Sequence, residues 1–540
     1  MDQQTNDKNN TNPAQRSSGV TDGTNESKAK AKSYTFPEGT EKINKFDLPD
    51  RETYEVIVIP DTVTEIGEAV FKGCKSLQKV TLSKKLVSIG ARAFSGCESL
   101  IRPTIPDTVT IIGDEAFRDC KSLGSIYLSK HISLIGKYAF HGCKSLKKVF
   151  FPSYKPGDRI IIQRGAFYQC ESLESVKIPK SVSIIEKRAF YKCESLKSVT
   201  LPDTLMVIGK EAFAFCKSLE SINIPDSIKI IRQFAFYCCS SLPTINISLS
   251  MRRIEKYTFK YCDSLKSIKI PYGIFEIGEF AFDHCVSLKR IQSPGLPFSI
   301  RNIKQGAFCG CHSLESINIP NKIEEINKNV FSGCFSLKEI ESPGLPSSLK
   351  SIKTGAFSDC RSLKSIDIPE TVTEIGSCAF SGCNEMNSFK IPAKVKAISY
   401  RLLFCCLTLE SIEIPDTVER IGREAFAGCI SLKSIQLPKS LQYIGRFAFY
   451  GCLSLEAIIA PNLDTYFKDN SDPSRKVRKR IGEYRRKFQK FSRLFSESLK
   501  DENVNLQTGI DKVCSEDTIE LNRRRKRIGK EKVDIETTKK

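Results

Sequence analysis

The chain has no tryptophan, and only four histidines and four methionines in 540 residues. Four imidazoles beside 22 cysteines do not make zinc fingers, unless most sites were all-thiolate. The histidines (His131, His141, His284 and His312) are scattered, and none stands with a serine or cysteine in a nucleophile motif. The sequence also lacks a Gly-x-x-x-x-Gly-Lys-Ser/Thr phosphate loop and a Gly-x-Ser-x-Gly elbow. No catalytic constellation remains, so an enzyme is not expected, and neither is a cofactor.

Long apolar runs are missing as well. Stretches such as Val56-Ile57-Val58-Ile59 are far too short to cross a bilayer. No apolar signal core follows Met1-Asp2-Gln3-Gln4, and Thr537-Thr538-Lys539-Lys540 is neither a prenylation box nor a GPI tail. These features alone predict a soluble, leaderless protein of the cytoplasm or, through its basic runs, the nucleus.

Cysteine is abundant, and it organises the sequence. Cys74, Cys97, Cys120, Cys143, Cys170, Cys193, Cys216, Cys239, Cys262, Cys285, Cys311, Cys334, Cys360, Cys383, Cys406, Cys429 and Cys452 form one column. Thirteen of its 16 intervals are 23 residues. The three longer intervals contain turn-forming inserts, Tyr154-Lys155-Pro156-Gly157 and the Ser-Pro-Gly-Leu-Pro segments starting at Ser293 and Ser342. Insertion at one loop is what stacked coils tolerate.

Around each cysteine runs Ala-Phe-x-x-Cys-x-Ser-Leu-x-x-Ile-x-Ile-Pro-x-x-Val-x-x-Ile-Gly, with Leu403 the one exception in the Phe column and Met386 in the Leu column. The Leu-x-x-Ile-x-Ile part alternates as a short strand does. Ile222 and Ile224 are expected to point inward, Ser221 and Asn223 outward, and Pro225 to end the strand for want of an amide proton. Val-x-x-Ile-Gly predicts a second extended segment, and Ala-Phe-x-x-Cys a tight helical turn carrying Phe inward. One coil cannot bury its apolar face, whereas a stack of them builds a continuous core. The expected fold is one parallel β-solenoid of about 17 coils.

This pattern closely resembles the BspA-like leucine-rich repeats, the Treponema pallidum-type class, over residues 56–461. Repeat length and the Cys, Phe, Ile-Pro and Ile-Gly columns carry the resemblance. It implies a leucine-rich-repeat solenoid and a non-catalytic surface antigen of bacteria or parasitic protists. Such proteins adhere to host cells, matrix proteins or other microbes. The resemblance thus favours the cell surface, against the cytoplasmic or nuclear expectation above. A rival function is an intracellular scaffold whose basic tail sets its location.

The flanks differ from the array. Residues 1–34 are polar and expected to be disordered, and residues 35–55 are expected to cap the array. Residues 462–540 carry 22 basic against 14 acidic side chains, out of 83 and 62 in the whole chain. An amphipathic helix is predicted at about 475–500, from Val477, Ile481, Tyr484, Phe488, Phe491, Leu494, Phe495 and Leu499. Its basic residues include Arg475, Lys476, Arg478, Lys479, Arg480, Arg485, Arg486 and Lys487. A second run is Arg523, Arg524, Arg525, Lys526 and Arg527. The helix either caps the last coil or meets an anionic membrane, an acidic protein or nucleic acid. The array shows no base-stacking pattern, so sequence-specific reading of nucleic acid is not expected.

The cysteine column has the period of the core and is read as buried filler in a tight turn, not as a disulfide or metal framework. Cys309-Gly310-Cys311-His312, one coil from His284-Cys285, is the nearest approach to metal ligation, but its neighbours are on-pattern residues, so a metal site is not expected. The outward strand column is the candidate binding face: Tyr127, Phe150, Lys177, Thr200, Asn223, Asn246, Lys269, Asn318, Glu341, Asp367, Lys390 and Glu413. It varies from coil to coil while the core columns do not, which suits recognition of a protein or glycan. Tyr127 and Phe150 are the expected hot spots.

Overall fold

A computed structural model of the chain describes residues 31–459, apart from 153, 155, 156, 158, 293, 294, 342 and 343. The N-terminal segment to residue 30, the expected helix at 475–500 and both basic runs lie outside the described residues.

Every strand is two or three residues long, and every pairing is parallel. Strand length follows from the sequence. Only three residues separate the outward position before the first Ile from Pro, and proline cannot continue a ladder. The alternation is as expected: Ser221 and Asn223 are exposed, Ile222 and Ile224 buried. A second ladder of 18 two-residue strands runs from Lys42–Ile43 to Tyr443–Ile444, so the solenoid makes about 18 turns. The segment expected to cap the array is itself a coil. Ser33–Thr35 pairs with Val56–Val58 and Lys42–Ile43 with Glu65–Ile66, both at the 23-residue offset.

The third side of each coil differs from expectation. Ala-Phe-x-x-Cys is a run of turns and not a helical turn; the described residues contain no helix. The amides that a helix would bond within itself instead reach the following coil. Ala69, Phe71 and Gly73 donate to the carbonyls of Ala91, Ala93 and Ser95 at 2.8, 2.7 and 2.7 Å. Ala69 (φ 55°) and Gly73 (φ 79°) are left-handed there, and the same two positions recur along the array. A side chain in that region costs on the order of 1 kcal/mol. Lys192 and Phe215 occupy it nonetheless (φ 58° and 62°), each with its amide bonded to the next coil.

The core is a set of columns. Phe71 to Phe380 form a stack with ring centroids 4.9 to 5.8 Å apart. From Cys97 to Cys452, each column thiol donates to the carbonyl 26 to 30 residues earlier, one coil back, as Cys216 does to Phe190 at 3.2 Å. The inserts are anchored by the core as well. Gly295 and Gly344 (φ 86° and 91°) let the chain turn back, and the following Leu296 and Leu345 are buried.

Two of the interruptions in the first strand ladder follow a missing donor or a displaced coil. Pro103 lacks an amide, and no strand forms around it. None forms at 365–367 either, in the coil after the second Ser-Pro-Gly-Leu-Pro insert.

Candidate functional site

The outward column lies on one sheet where it is most continuous. Ser125–Tyr127, Lys148–Phe150, Ser175–Lys177, Ser198–Thr200 and Ser221–Ile222 are consecutive strands of a five-stranded sheet. Registry puts Phe150 beside Tyr127. Their rings stack with centroids 4.2 Å apart and planes 7° from parallel, while remaining 38% and 52% exposed. An exposed aromatic pair normally loses its neighbours to water; here the two strands hold it in place.

Beside it, Lys177, Thr200 and Asn223 are exposed in sequence along the sheet. A groove of about 750 Å³ follows, bringing Thr200, Asn223, Asn246 and Lys269 together with Ser198 and Gln292. It opens where the ladder is interrupted between Ser221–Ile222 and Thr244–Asn246. There the Asn246 amide spans the gap, accepting from Ile224 N–H at 3.0 Å and donating to Ile224 carbonyl at 2.7 Å. Asn318 clamps Leu296 in the same way, at 2.6 and 2.7 Å.

The other column members divide by what they touch. Asn246 and Asn318 spend their amides on the neighbouring coil. Glu341 accepts from the Ser316 hydroxyl at 2.6 Å, and Lys390 lies 3.4 Å from Glu370. Glu413 is exposed and opposite Lys390 in register, and Asp367 is exposed at the ladder interruption. Among the described residues the unclaimed members are therefore Tyr127, Phe150, Lys177, Thr200, Asn223 and Lys269 on the N-terminal half, with Asp367 and Glu413 apart.

The cysteine–histidine cluster resolves into separate contacts. Cys285 and Cys311 donate to the carbonyls of Phe259 and Phe282 at 3.1 and 3.2 Å. His284 Nδ1 and Lys260 Nζ both lie 2.5 Å from the buried Asp283 carboxylate. Burial pushes the Cys309 thiol up to about 11, and burial lowers His312. Among the described residues no three His, Cys, Asp or Glu side chains converge as metal ligands would.

Two surfaces escaped the sequence reading. Half-buried aromatics line the turn side, including Tyr168 stacked on Tyr191 at 4.8 Å and His312 on Phe335 at 4.4 Å. The second sheet also carries aliphatic residues on its outward side from Ile111 to Ile230. Their sequence signal is the doubled aliphatic, as in Ile161-Ile162 and Ile184-Ile185, whose second member points inward and whose first stays exposed. Among the described residues no helix is long and apolar enough to cross a membrane.

With this geometry in place, the likeness to known proteins is specific. The BspA type leucine rich repeat region matches residues 41–155, 160–289, 276–406 and 398–471. A crystal structure of a leucine-rich repeat protein from Bacteroides ovatus is 28% identical, with a TM-score of 0.51. That match covers 72% of this chain and 88% of the other. The T. pallidum leucine-rich repeat protein is also 28% identical, over 35% of this chain and 78% of its own, with a TM-score of 0.26. A leucine rich cell surface protein from Faecalibacterium prausnitzii is 23% identical over 76% of this chain and 89% of its own, with a TM-score of 0.28. The chain has no match among the curated proteins. Matched along most of its length and built of the corresponding coils, the chain belongs to the BspA-type leucine-rich repeat family.

Proposed function

We propose that the chain is a non-catalytic binding protein that takes a protein or glycan ligand on the outward face of its first strand ladder, in the adhesive manner of BspA-like surface antigens. The stacked, exposed Tyr127–Phe150 pair carries this reading. Two rings fixed side by side present apolar area that a ligand covers without ordering flexible groups first. The hydroxyl, amide and ammonium groups of Lys177, Thr200, Asn223 and Lys269 follow within a few strand spacings of ~4.8 Å. A large planar contact beside a hydrogen-bonding groove suits a sugar ring or a peptide. A catalytic reading has no comparable feature among the described residues: His284 and His312 meet edge to face at 6.3 Å with no nucleophile motif beside them, and the column thiols from Cys97 onward are committed to carbonyls.

The test is capture of ligands from a glycan array and from a panel of purified matrix proteins. The full chain is compared with a Tyr127→Ser/Phe150→Ser variant. Binding is expected to weaken at least about tenfold, with the thermal midpoint unchanged because both rings lie outside the core. Equal capture by the two proteins rejects the site.

A further inference from the structure

The second strand ladder presents a surface that the strand-face reading leaves unused. Its outward positions are charged or polar in the coils on either side of its middle, Lys42, Glu65 and Ser88 before it and Arg253, Glu276 and Asn302 after it. Between them, Ile111, Leu134, Ile161, Ile184, Val207 and Ile230 occupy six successive coils in one sheet. Four of these are 39% to 53% exposed. Five strand spacings make an aliphatic stripe roughly 24 Å long. Contiguous apolar surface on that scale marks an interaction site more often than chance exposure does.

Cations border the stripe, two of them facing carboxylates: Lys137 lies 4.0 Å from Asp114 and Lys210 3.7 Å from Glu211. Lys137, Arg164, Lys187 and Lys210 stand three residues beyond its successive members. Lys187 forms no ion pair with a described residue, and burial together with Arg188 and Arg164 holds its ammonium below the ordinary lysine range. At its C-terminal end the stripe runs into a groove of about 670 Å³. Lys229, Arg232, Arg252 and Arg253 line it beside Phe275, against the single carboxylate of Glu255, which Arg253 already holds at 2.7 Å. This groove opens where the nine-stranded sheet ends, at Ile230–Ile231.

An occupant of this surface must be acidic and aliphatic together. A second copy of the same surface would set cation against cation. The basic run at 475–493 has the wrong sign. The chain itself contains a segment of the right composition. Residues 497–521 hold Glu497, Asp501, Glu502, Asp511, Glu516, Asp517 and Glu520 against only Lys500 and Lys512. Leu499, Val504, Leu506, Ile510, Val513, Ile519 and Leu521 are interspersed among them. Reach suffices: residues 459–475 extended span up to ~53 Å, and the helix expected from 475 adds about 33 Å by residue 497. Nine to fourteen coil spacings, roughly 45 to 70 Å, separate the last described coil from the groove and the far end of the stripe.

We propose that the aliphatic stripe and cationic groove of the second ladder form a docking surface for an acidic, aliphatic peptide, and that residues 497–521 of the same chain occupy it.

The test uses the full chain with the photocrosslinking residue benzoylphenylalanine in place of Ile184, irradiated at low protein concentration and mapped by mass spectrometry. Crosslinks to peptides within 497–521 are expected, and an Asp501→Lys/Glu502→Lys/Asp511→Lys variant should lose at least about nine-tenths of them. Arg232→Glu/Arg252→Glu should do the same without shifting the thermal midpoint. The proposal is overturned by crosslinks that miss 497–521, or by crosslinks indifferent to both charge changes. Crosslinks only to a second copy, rising with concentration, also overturn it. So does capture of phosphatidylserine vesicles through Arg232 and Arg252 by a chain whose 497–521 segment remains undocked. None of these results bears on Tyr127 and Phe150, so this proposal and the strand-face proposal fail separately.

Discussion

At the scale of the residue, the repeated cysteine has a defined task. The Phe190 carbonyl accepts the amide of Cys193 within its own coil at 3.3 Å and the thiol of Cys216 from the next at 3.2 Å. A buried carbonyl with two lone pairs is thereby fully used. Cysteine fits because it is small, apolar enough for the core, and still a weak donor. Burial drives these thiols upward, Cys452 to about 12. Cys74, the first of the column, is the exception, held low by its hydrogen bond with Cys97. Iodoacetamide at pH 8 is therefore expected to spare the column from Cys97 onward in the native protein. Among the described cysteines, half-buried Cys238, Cys309 and Cys378 should react first, and all 22 cysteines of the chain should react in denaturant. Native labelling of Cys216 as fast as Cys238 would contradict this account.

At the scale of the element, one coil shows how the core tolerates variation. Leu402-Leu403 stands where most coils have Ala-Phe. The smaller residue at 403 interrupts the ring stack after Phe380, and the larger one at 402 restores part of the volume. Phe389, on a strand position that is Ile or Val in most coils, supplies the missing ring edge-on to Phe380 at 5.0 Å. The exchange keeps volume while changing which position contributes it, which is the kind of swap cores accept. Leu403→Phe alone is expected to overpack this coil and cost about 1–3 kcal/mol. Phe389→Ile alone should cost a similar ~1–3 kcal/mol through the cavity it leaves. Leu402→Ala/Leu403→Phe/Phe389→Ile together should return to within about 1 kcal/mol of the parent in denaturant unfolding, because neighbours that share a space are not additive. Additive losses in the triple variant would show that the three positions do not share one volume.

At the scale of the whole molecule, coils are held to one another by many equivalent bonds, some of them ionic. Asp61 accepts the Lys84 amide at 2.9 Å, Glu370 the Ala393 amide at 2.7 Å, and Glu98 meets Lys121 at 2.8 Å. Those contacts hold all three carboxyls below their ordinary values. Groups lowered in the folded state stabilise fully above the unfolded carboxylate range, and this contribution disappears as pH falls through their folded values. Acidification also adds charge to a chain already at +21. The thermal midpoint is expected to be flat from about pH 6 to 8 and to fall below about pH 4. Asp61→Asn/Glu370→Gln should blunt that fall. A midpoint at pH 3 equal to that at pH 7 would rule out the inter-coil carboxylates as contributors.

The sequence by itself determined the repeat, the inward columns and the outward position of Tyr127 and Phe150. Those depend on alternation within one coil and on proline's missing amide, and both are local. The tertiary structure decided what happens between coils. It set Tyr127 against Phe150 as a stack, turned Asn246 and Asn318 from free surface into clamps, and made Ala-Phe-x-x-Cys a run of turns. It also aligned six outward aliphatics, each unremarked in its own coil, into one stripe. The physical reason is that neighbours 23 residues apart meet only through stacking. Which amide bonds the next coil, which ladder is interrupted, and which side chains stand in line are properties of that contact and not of any one segment.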